Sequence, residues 1–441
     1  MNINNIESIR EDIQYLFKKG IESVLPENLF KNYLSLSNNI LQINSINHAP
    51  RCYDLNLYKN IYVVGAGKAS TSMAKALENL LLEKITKGII VTKYGFLENL
   101  NKIKIIEAAH PVPDDNSVLA AKEILSIVNS AGKDDLIINL ISGGASSLLT
   151  LPVDGISLND KIKTTTVLLN NEASIHEINT IRKCLSQIKG GGLIARSQAT
   201  FVSLIISDVI GDDINIIASG PTSVSFPDYS SAVKIINKYN LYDLLPDTVI
   251  SYLNNKCNTG AFIENIPQID NENFLIGNND TAINEIINSA EKKGYNTYKI
   301  DKKIKGEVKT AAEEYFKIIS NLSDYEKPLC VVSGGETTVK IIGNGLGGRN
   351  QEFCLTLIDY IKNKENIIIL SGGTDGNDGP TDAAGAVIDS ECIFEAESKN
   401  LEHKSFLSNN DSYTFFKKIN SLIITGPTLT NVMDVQITIL Y

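Results

Sequence analysis

The sequence contains no C-x-x-C pair, no surplus of basic residues and no apolar run near the ~18 residues that a membrane span requires. Each absence removes a class of function. The six cysteines (Cys52, Cys184, Cys257, Cys330, Cys354 and Cys392) are scattered, which excludes a zinc knuckle or dithiol redox motif and fits free thiols in a reducing cytoplasm. With 41 Lys and Arg against 51 Asp and Glu, the formal net charge is −10, so neither non-specific nucleic-acid binding nor attachment to an anionic membrane is expected. The opening stretch, residues 1–7, lacks the basic segment and apolar core of a secretory signal. His110 and His176 stand alone in the sequence and read as structural. Only five arginines occur, at positions 10, 51, 182, 196 and 349, and in a chain that otherwise prefers lysine each is of interest.

What is present is the composition of an ordinary globular protein: 441 residues, 43% hydrophobic and 21% charged. Short apolar runs alternate with helical stretches. Ile61–Val64 leads into Gly65-Ala66-Gly67-Lys68 and a helix over about 69–84. Gly88–Thr92 is the next strand, and Asp115-Asn116-Ser117 opens a helix near 117–130. Leu136–Ile141 ends in Ser142-Gly143-Gly144, helical patterns fill about 157–188, and Phe201–Ile206 ends in Ser207-Asp208. Such alternation predicts a largely parallel sheet covered on both faces. After a helical and then loopy stretch from 226 to 270, the alternation resumes. Phe274–Ile276 runs into Gly277-Asn278-Asn279-Asp280, Leu329–Val332 into Ser333-Gly334-Gly335-Glu336, and Ile367–Leu370 into Ser371-Gly372-Gly373-Thr374-Asp375. Two α/β domains meeting around residues 255–270 are expected.

Ser-Gly-Gly thus occurs three times, always directly after an apolar strand. Open α/β sheets bind ligands beyond the carboxyl ends of their strands. Glycines there let backbone amides approach an anion, and the next helix turns its positive dipole end toward it. Together with Gly65–Lys68, these loops suggest a ligand carrying several anionic groups. The stretch Gly65–Ser70 approximates G-x-G-x-x-G, but the second strand leads into Thr92-Lys93-Tyr94 without the acid that a dinucleotide ribose needs. A Walker A loop would need glycine where Tyr62 stands. Lys68 lies at a helix N-terminus, an unfavourable place for a cation unless an anion joins it, so it reads as a clamp on phosphate or on transition-state charge.

Asp208, Asp280 and Asp375 sit on loops of the same kind, as Mg²⁺ ligands do beside phosphate oxygens and water. The run from Asp375 to Asp382 is not a complete calcium loop, because position 386 is Ala. Arg349 follows two glycines at the mouth of a helix over about 350–362, suited to a bidentate grip on carboxylate or phosphate. Arg182-Lys183 followed by Lys189-Gly190-Gly191-Gly192 is a weaker form of the same arrangement.

Taken in order along residues 60–440, the set of motifs resembles the glycerate 2-kinases of the two-domain type whose C-terminal part is the MOFRL domain. The matching stretches are Gly65–Ser70, His110–Asp114, Ser142–Gly144, Ile188–Gly191, Ser207–Asp213, Ala218–Thr222, Gly347–Glu352, Gly372–Gly376 and Thr425–Thr428, the last running into Thr430–Val432. The resemblance implies ATP- and Mg²⁺-dependent phosphorylation of D-glycerate at its 2-hydroxyl. It implies a larger Rossmann-like three-layer α/β domain over residues 1–262, a smaller α/β MOFRL-type domain over 263–441, and an active site in the cleft between them. The family's proposed catalytic lysine and arginine map onto Lys68 and Arg349; the loops themselves add the expectation that Asp208 is a third catalytic residue and that Asp208 and Asp375 are metal ligands. Gly65, Gly67, Ser142, Gly143, Gly144, Ser146, Lys189, Gly190, Asn278, Asp280, Gly334, Gly335, Glu336, Gly373 and Thr374 are the expected cofactor-binding positions. A cytoplasmic enzyme acting on small molecules follows, with a homodimer left open. Ala145, Ser147, Cys184 and Leu429 depart from the family pattern, which expects Gly, Ala, His and Gly at those places. The alternatives are an NAD(P)H-dependent hydroxypyruvate reductase and a non-catalytic protein that binds a sugar acid or nucleotide.

Overall fold

The computed structural model describes residues 6–223, 225, 227–259, 270–362 and 364–441. It contains two compact units, Leu29–Ile276 and Gly277–Tyr441, the second also taking in the N-terminal stretch up to Asn28. The first unit is built on a six-stranded sheet: β1 (Asn60–Ala66), β2 (Lys87–Lys93), β3 (Ile103–Ala108), β4 (Asp135–Ile141), β5 (Thr200–Ile206) and β6 (Asn271–Gly277). Their spatial order is 3-2-1-4-5-6, and β1 to β5 pair in parallel, which is the doubly wound Rossmann arrangement anticipated from the βα alternation. The strands are near-continuous runs of Ile, Leu and Val because both faces are covered; all seven residues of β4 are buried.

Helices α1 (Ser70–Leu81), α2 (Asp115–Ser130), α3 (Leu158–Asn170) and α4 (Ile175–Cys184) follow. Three of them begin with a side chain that closes the first turn in a reciprocal box: Asp114 with Ser117, Ser157 with Asp160, Ser174 with Glu177. Ile124 and Val128 of α2 pack on Val64, Val91 and Ile137 of the sheet. Leu168 of α3 and Ile178 and Ile181 of α4 form a second core with the helices Tyr229–Lys238 and Asp247–Thr259.

The second unit holds a seven-stranded sheet: β7 (Asn296–Lys299), β8 (Ile304–Glu307), β9 (Leu329–Thr338), β10 (Ile367–Gly373), β11 (Gly385–Ile388), β12 (Leu422–Ile423) and β13 (Asp434–Leu440). The order is β7-β9-β13-β10-β11-β12, with β8 also on β9. This sheet is mixed. β13 lies antiparallel between β9 and β10, which therefore run parallel to each other without touching. Among its helices are α5 (Asn279–Lys292), α6 (Val308–Ser320) and α7 (Arg349–Ile361). Leu329, Val331, Ile367 and Ile369 face a core with Tyr315 and Phe353 of α6 and α7, as the period of two demands. The opposite face is covered by α5 and the N-terminal helix Ile6–Ser23.

The division differs from the expected one at both ends. A boundary at 262/263 lies outside the described residues; the units part after Ile276 because β6 is the sixth strand of the first sheet. The N-terminal helix belongs to the second unit. Its buried residues Ile9, Ile13, Leu16, Phe17, Gly20 and Ile21 recur at helical spacing, and Arg10 holds buried Asp389 through Nε and Nη2 at 2.5 and 2.6 Å. A Cβ on Gly20 would sit 2.6 Å from Ile286 Cδ1 of α5, so a side chain here would force Ile286 to shift. Among the described residues no helix is long and apolar enough to cross a membrane. Leu16→Ala is expected to cost about 2–5 kcal/mol, and hydrogen exchange should locate the lost protection in the strands of the second unit rather than in β1–β6.

Candidate active site

In the first unit the strand order reverses between β1 and β4, and the loops beyond their carboxyl ends meet there. The Lys68 amide donates to Gly143 O at 2.8 Å, the Ala69 amide to Ser142 Oγ at 3.0 Å, and the Ser142 amide to Ala66 O at 3.1 Å. Gly67 (φ +138°) has no alternative residue: a Cβ would lie 2.1 Å from Ser142 Oγ. Beside Gly144 (φ +84°), a Cβ would be 3.0 Å from His110 Cδ2 and 3.3 Å from Lys68 Cγ, so the imidazole and the lysine stem flank the same glycine. Sequence reasoning set His110 aside as structural; the structure brings it to the switch point.

These contacts revise which amides are offered to an anion. Those of Gly67, Lys68, Ala69 and Gly190 are engaged with protein acceptors, the last with Ser219 O at 3.0 Å. Gly65 lies inside β1. The amides of Gly143, Gly144 and Ser146 meet no acceptor among the described residues. The glycines of the first loop therefore permit close packing, and the second loop presents the donors. Ser146 is 3.2 Å from Ser219 Oγ through its own hydroxyl, and its carbonyl accepts Lys189 Nζ at 2.7 Å. Asp208 stands half-buried just beyond the tip of β5.

In the second unit, the register sets Asp434 directly opposite Gly335 of β9 and Gly373 of β10. Arg349, the first residue of α7, reaches Asp434 through Nε at 2.6 Å and Nη2 at 2.9 Å, and its Nη1 meets Glu336 at 3.0 Å. Burial alone would depress the Arg349 pKa, but Asp434, with Glu336 and Asp378 beside it, holds the guanidinium above its ordinary value. Asp378 accepts the amides of Asn350 and Gln351 at 3.0 and 2.8 Å and so closes the N-terminus of α7. Burial, reinforced by the charge of Asp434, nevertheless pushes Asp378 up to about 6 against those two amides and Arg349.

Several expected cofactor positions make contacts within the protein. Gly334 and Gly335 are not a loop but part of β9, which continues to Thr338; a Cβ on Gly334 would fall 2.0 Å from Asn279 Oδ1, and one on Gly335 2.0 Å from Ile304 O. Gly373 is the last residue of β10. The Thr374 hydroxyl donates to Met433 O at 2.6 Å and accepts the Val432 amide at 2.9 Å. Asn278 caps α5 by accepting the Thr281 amide. Asp280 pairs with Lys299 at 2.8 Å and Lys303 at 3.1 Å, and although burial opposes it, the two ammonium groups lower its pKa. Asp375 accepts the Asn377 amide at 3.2 Å within its own turn. Among the described residues no three His, Cys, Asp or Glu side chains gather as a metal site, and Asp208 and Asp375 belong to different units.

Asp434 and Lys161 escape the sequence reading, which takes Asp378 only as one carboxylate of an oxygen-rich loop. The first two each carry one signal, a charge at a buried position: Asp434 at the head of an apolar strand, and Lys161 on the helical face shared with Thr164 and Leu168.

Residues 12–254 match the family described as a domain of unknown function, DUF4147, and residues 329–434 match the MOFRL family. The chain belongs to this DUF4147–MOFRL family. Within it, a glycerate 2-kinase of Pyrococcus horikoshii is 40% identical over 387 residues, covering 86% of this chain and 87% of that protein. A D-glycerate 2-kinase of Thermotoga maritima is 38% identical over 442 residues, covering 98% of each. An Agrobacterium vitis relative, 40% identical over 381 residues and covering 85% of this chain and 97% of its own, carries a hydroxypyruvate reductase name. The crystal structure of a glycerate kinase from Thermotoga maritima superposes with a TM-score of 0.84 at 36% identity, covering 99% of this chain and all of that one. The resemblance to MOFRL-type glycerate 2-kinases drawn from the motifs is borne out.

Asp434→Asn leaves Arg349 without its main counter-charge and should cost about 3 kcal/mol in denaturant unfolding, with part of the loss recovered in the Arg349→Met, Asp434→Asn double variant. Asp378 generates a pH effect of defined sign. Below the ordinary value of 3.8 both states are protonated; between 3.8 and about 6 the unfolded chain ionises first, so stability falls as pH rises through that window. The fall should be about 3 kcal/mol at most, and Asp378→Asn should remove it from the stability–pH profile.

Proposed function

We propose that this protein is a kinase that transfers the terminal phosphoryl group of ATP to the 2-hydroxyl of D-glycerate, giving 2-phospho-D-glycerate. The observation that carries this reading is the switch point of the first sheet, where Lys68 stands beside the open amides of Gly143, Gly144 and Ser146. The relatives named as glycerate kinases, similar over nearly the whole chain, support the choice of acid.

Phosphoryl transfer asks a protein for positioning and charge stabilisation more than for covalent chemistry. The three amides hold phosphate oxygens, and Lys68 meets the charge that spreads over the transferring group. Asp208 is the carboxylate we assign to the hydroxyl proton or to Mg²⁺; it fits the ion, which takes one or two carboxylates beside phosphate oxygens and water. The ion's contribution is to neutralise phosphate charge. Arg349 reaches an anion through Nη1, the one nitrogen held by the more exposed Glu336 (42% exposed) rather than by Asp434 (1%). We place the activity in the cytoplasm, where six unpaired thiols are stable.

A reductase would bind a nicotinamide ribose through an acid at the tip of β2, and that strand ends in Thr92-Lys93. Incubation with ATP, Mg²⁺ and D-glycerate followed by phosphorus NMR should show ADP and a phosphomonoester on the 2-position. A 3-phosphomonoester, or NADH oxidation by hydroxypyruvate without ADP formation, would overturn the reading. Lys68→Ala should lower kcat by ~10²–10³ while the fold is retained by circular dichroism.

A further inference from the structure

Four of the five arginines end on an acceptor: Arg10 on Asp389, Arg51 on Glu272, Arg196 on the carbonyls of Gln187 and Gly192, and Arg349 on Asp434. Arg182, half-buried on α4, ends on none among the described residues. Two lysines share its surroundings. Lys161 of α3 is 5% exposed, and its ammonium group is buried without a hydrogen-bond partner. Lys189 is 2% exposed and donates only to carbonyls, Ser146 O at 2.7 Å and Ala218 O at 3.5 Å.

The charges bear on one another. Burial first, then Arg182, lowers Lys161 to about 7; burial first, then Lys161 and Arg182, lowers Lys189 well below its ordinary value. Among the described residues no carboxylate bears on either lysine from α3, α4 or the loop at 189–192. Lys183, the next residue on α4, turns instead to Ser225 Oγ at 2.9 Å.

Buried cations are ordinarily paired and hydrogen-bonded, and an apolar residue at position 161 would serve the fold better. An anion supplied from solution would let Lys161 hold its proton. The neighbouring neutral groups say what accompanies it. Ser146 and Ser219 hydroxyls are 3.2 Å apart, Ser219 reaches Asn179 Oδ1 at 3.2 Å, and Asn179 lies one turn before Arg182 on α4. Two buried ammonium ends suit a compact anion, and the hydroxyl and amide groups suit an acid bearing hydroxyls.

We propose that Lys161, Arg182 and Lys189 form the seat of a small hydroxy acid's carboxylate, with Ser146, Ser219 and Asn179 meeting its hydroxyl groups. The identity of the acid as D-glycerate rests on the kinase reading; the seat itself does not.

Calorimetric titration of the full chain with D-glycerate at about pH 8, in buffers of different ionisation enthalpy, tests it. Binding should be accompanied by proton uptake, because a carboxylate beside Lys161 restores its proton. Lys161→Met should abolish the uptake and weaken D-glycerate by about tenfold or more. It should leave ATP affinity unchanged and raise Tm, since an unpaired buried charge is gone. Arg182→Gln should repeat the loss of affinity at a less buried position. Unchanged D-glycerate affinity and proton uptake in Lys161→Met would overturn the proposal, as would a loss confined to ATP, which would assign the cations to phosphate. The two readings fail separately. A wild-type protein that binds D-glycerate through Lys161 yet releases no ADP keeps the seat and removes the kinase. One that forms 2-phospho-D-glycerate with an unaltered KM in Lys161→Met does the reverse.

Discussion

The first unit depends on how closely the loops after β1 and β4 approach each other. Gly67 sits against Ser142 with no room for a methyl group, and the pair is held by the amides of Lys68 and Ala69. That contact fixes where Lys68 starts, and His110 stands against Gly144, while the amides of Gly143, Gly144 and Ser146 have no acceptor among the described residues. A larger residue at 67 would part the loops and disperse every group at the switch point. The division of labour is physical: one glycine-bearing loop is consumed in making the contact, and the other presents the donors that the contact frees.

In the second unit Asp434 has the comparable place. It is the first residue of a strand inserted between β9 and β10, opposite Gly335 within β9 and Gly373 at the tip of β10. Arg349 and, through the N-terminus of α7, Asp378 are arranged around it. A buried ion pair of this kind contributes little net stability over an apolar pair, but it is costly to break and it sets geometry. The guanidinium is thereby fixed in orientation by one partner while its third nitrogen rests on a more exposed one.

Much of this was legible before the structure. The βα alternation and the unbroken apolar strands gave the doubly wound sheet, and the glycines at strand ends marked the loops after β1 and β4, with others of the same composition, as candidate ligand loops. Three kinds of information were not legible. The mixed second sheet was hidden because β13 reads as an ordinary apolar run, and nothing local says that it inserts between two earlier strands. Ser-Gly-Gly has the same composition in a loop, as at 142–144, and inside a strand, as at 333–335, where the glycines make room for Asn279 and Ile304. Buried charges such as Lys161 and Asp434 are invisible to a reading that assigns charge to the surface, and the partner of Asp434, Arg349, lies far away in the chain.

The membership of the N-terminal helix bears on how the chain is made. Ile6–Ser23 packs on α5 (Asn279–Lys292) and on a sheet whose central strand is Asp434–Leu440, so its apolar stripe is not fully covered until more than four hundred residues have been synthesised. At ribosomal speeds of roughly 5–20 residues per second, that is a wait on the order of tens of seconds. The Rossmann unit, contiguous from Leu29 to Ile276, can be complete by then. The nascent protein thus carries an incompletely covered amphipathic segment while the rest of the second unit is synthesised, and that segment is where a chaperone would find it.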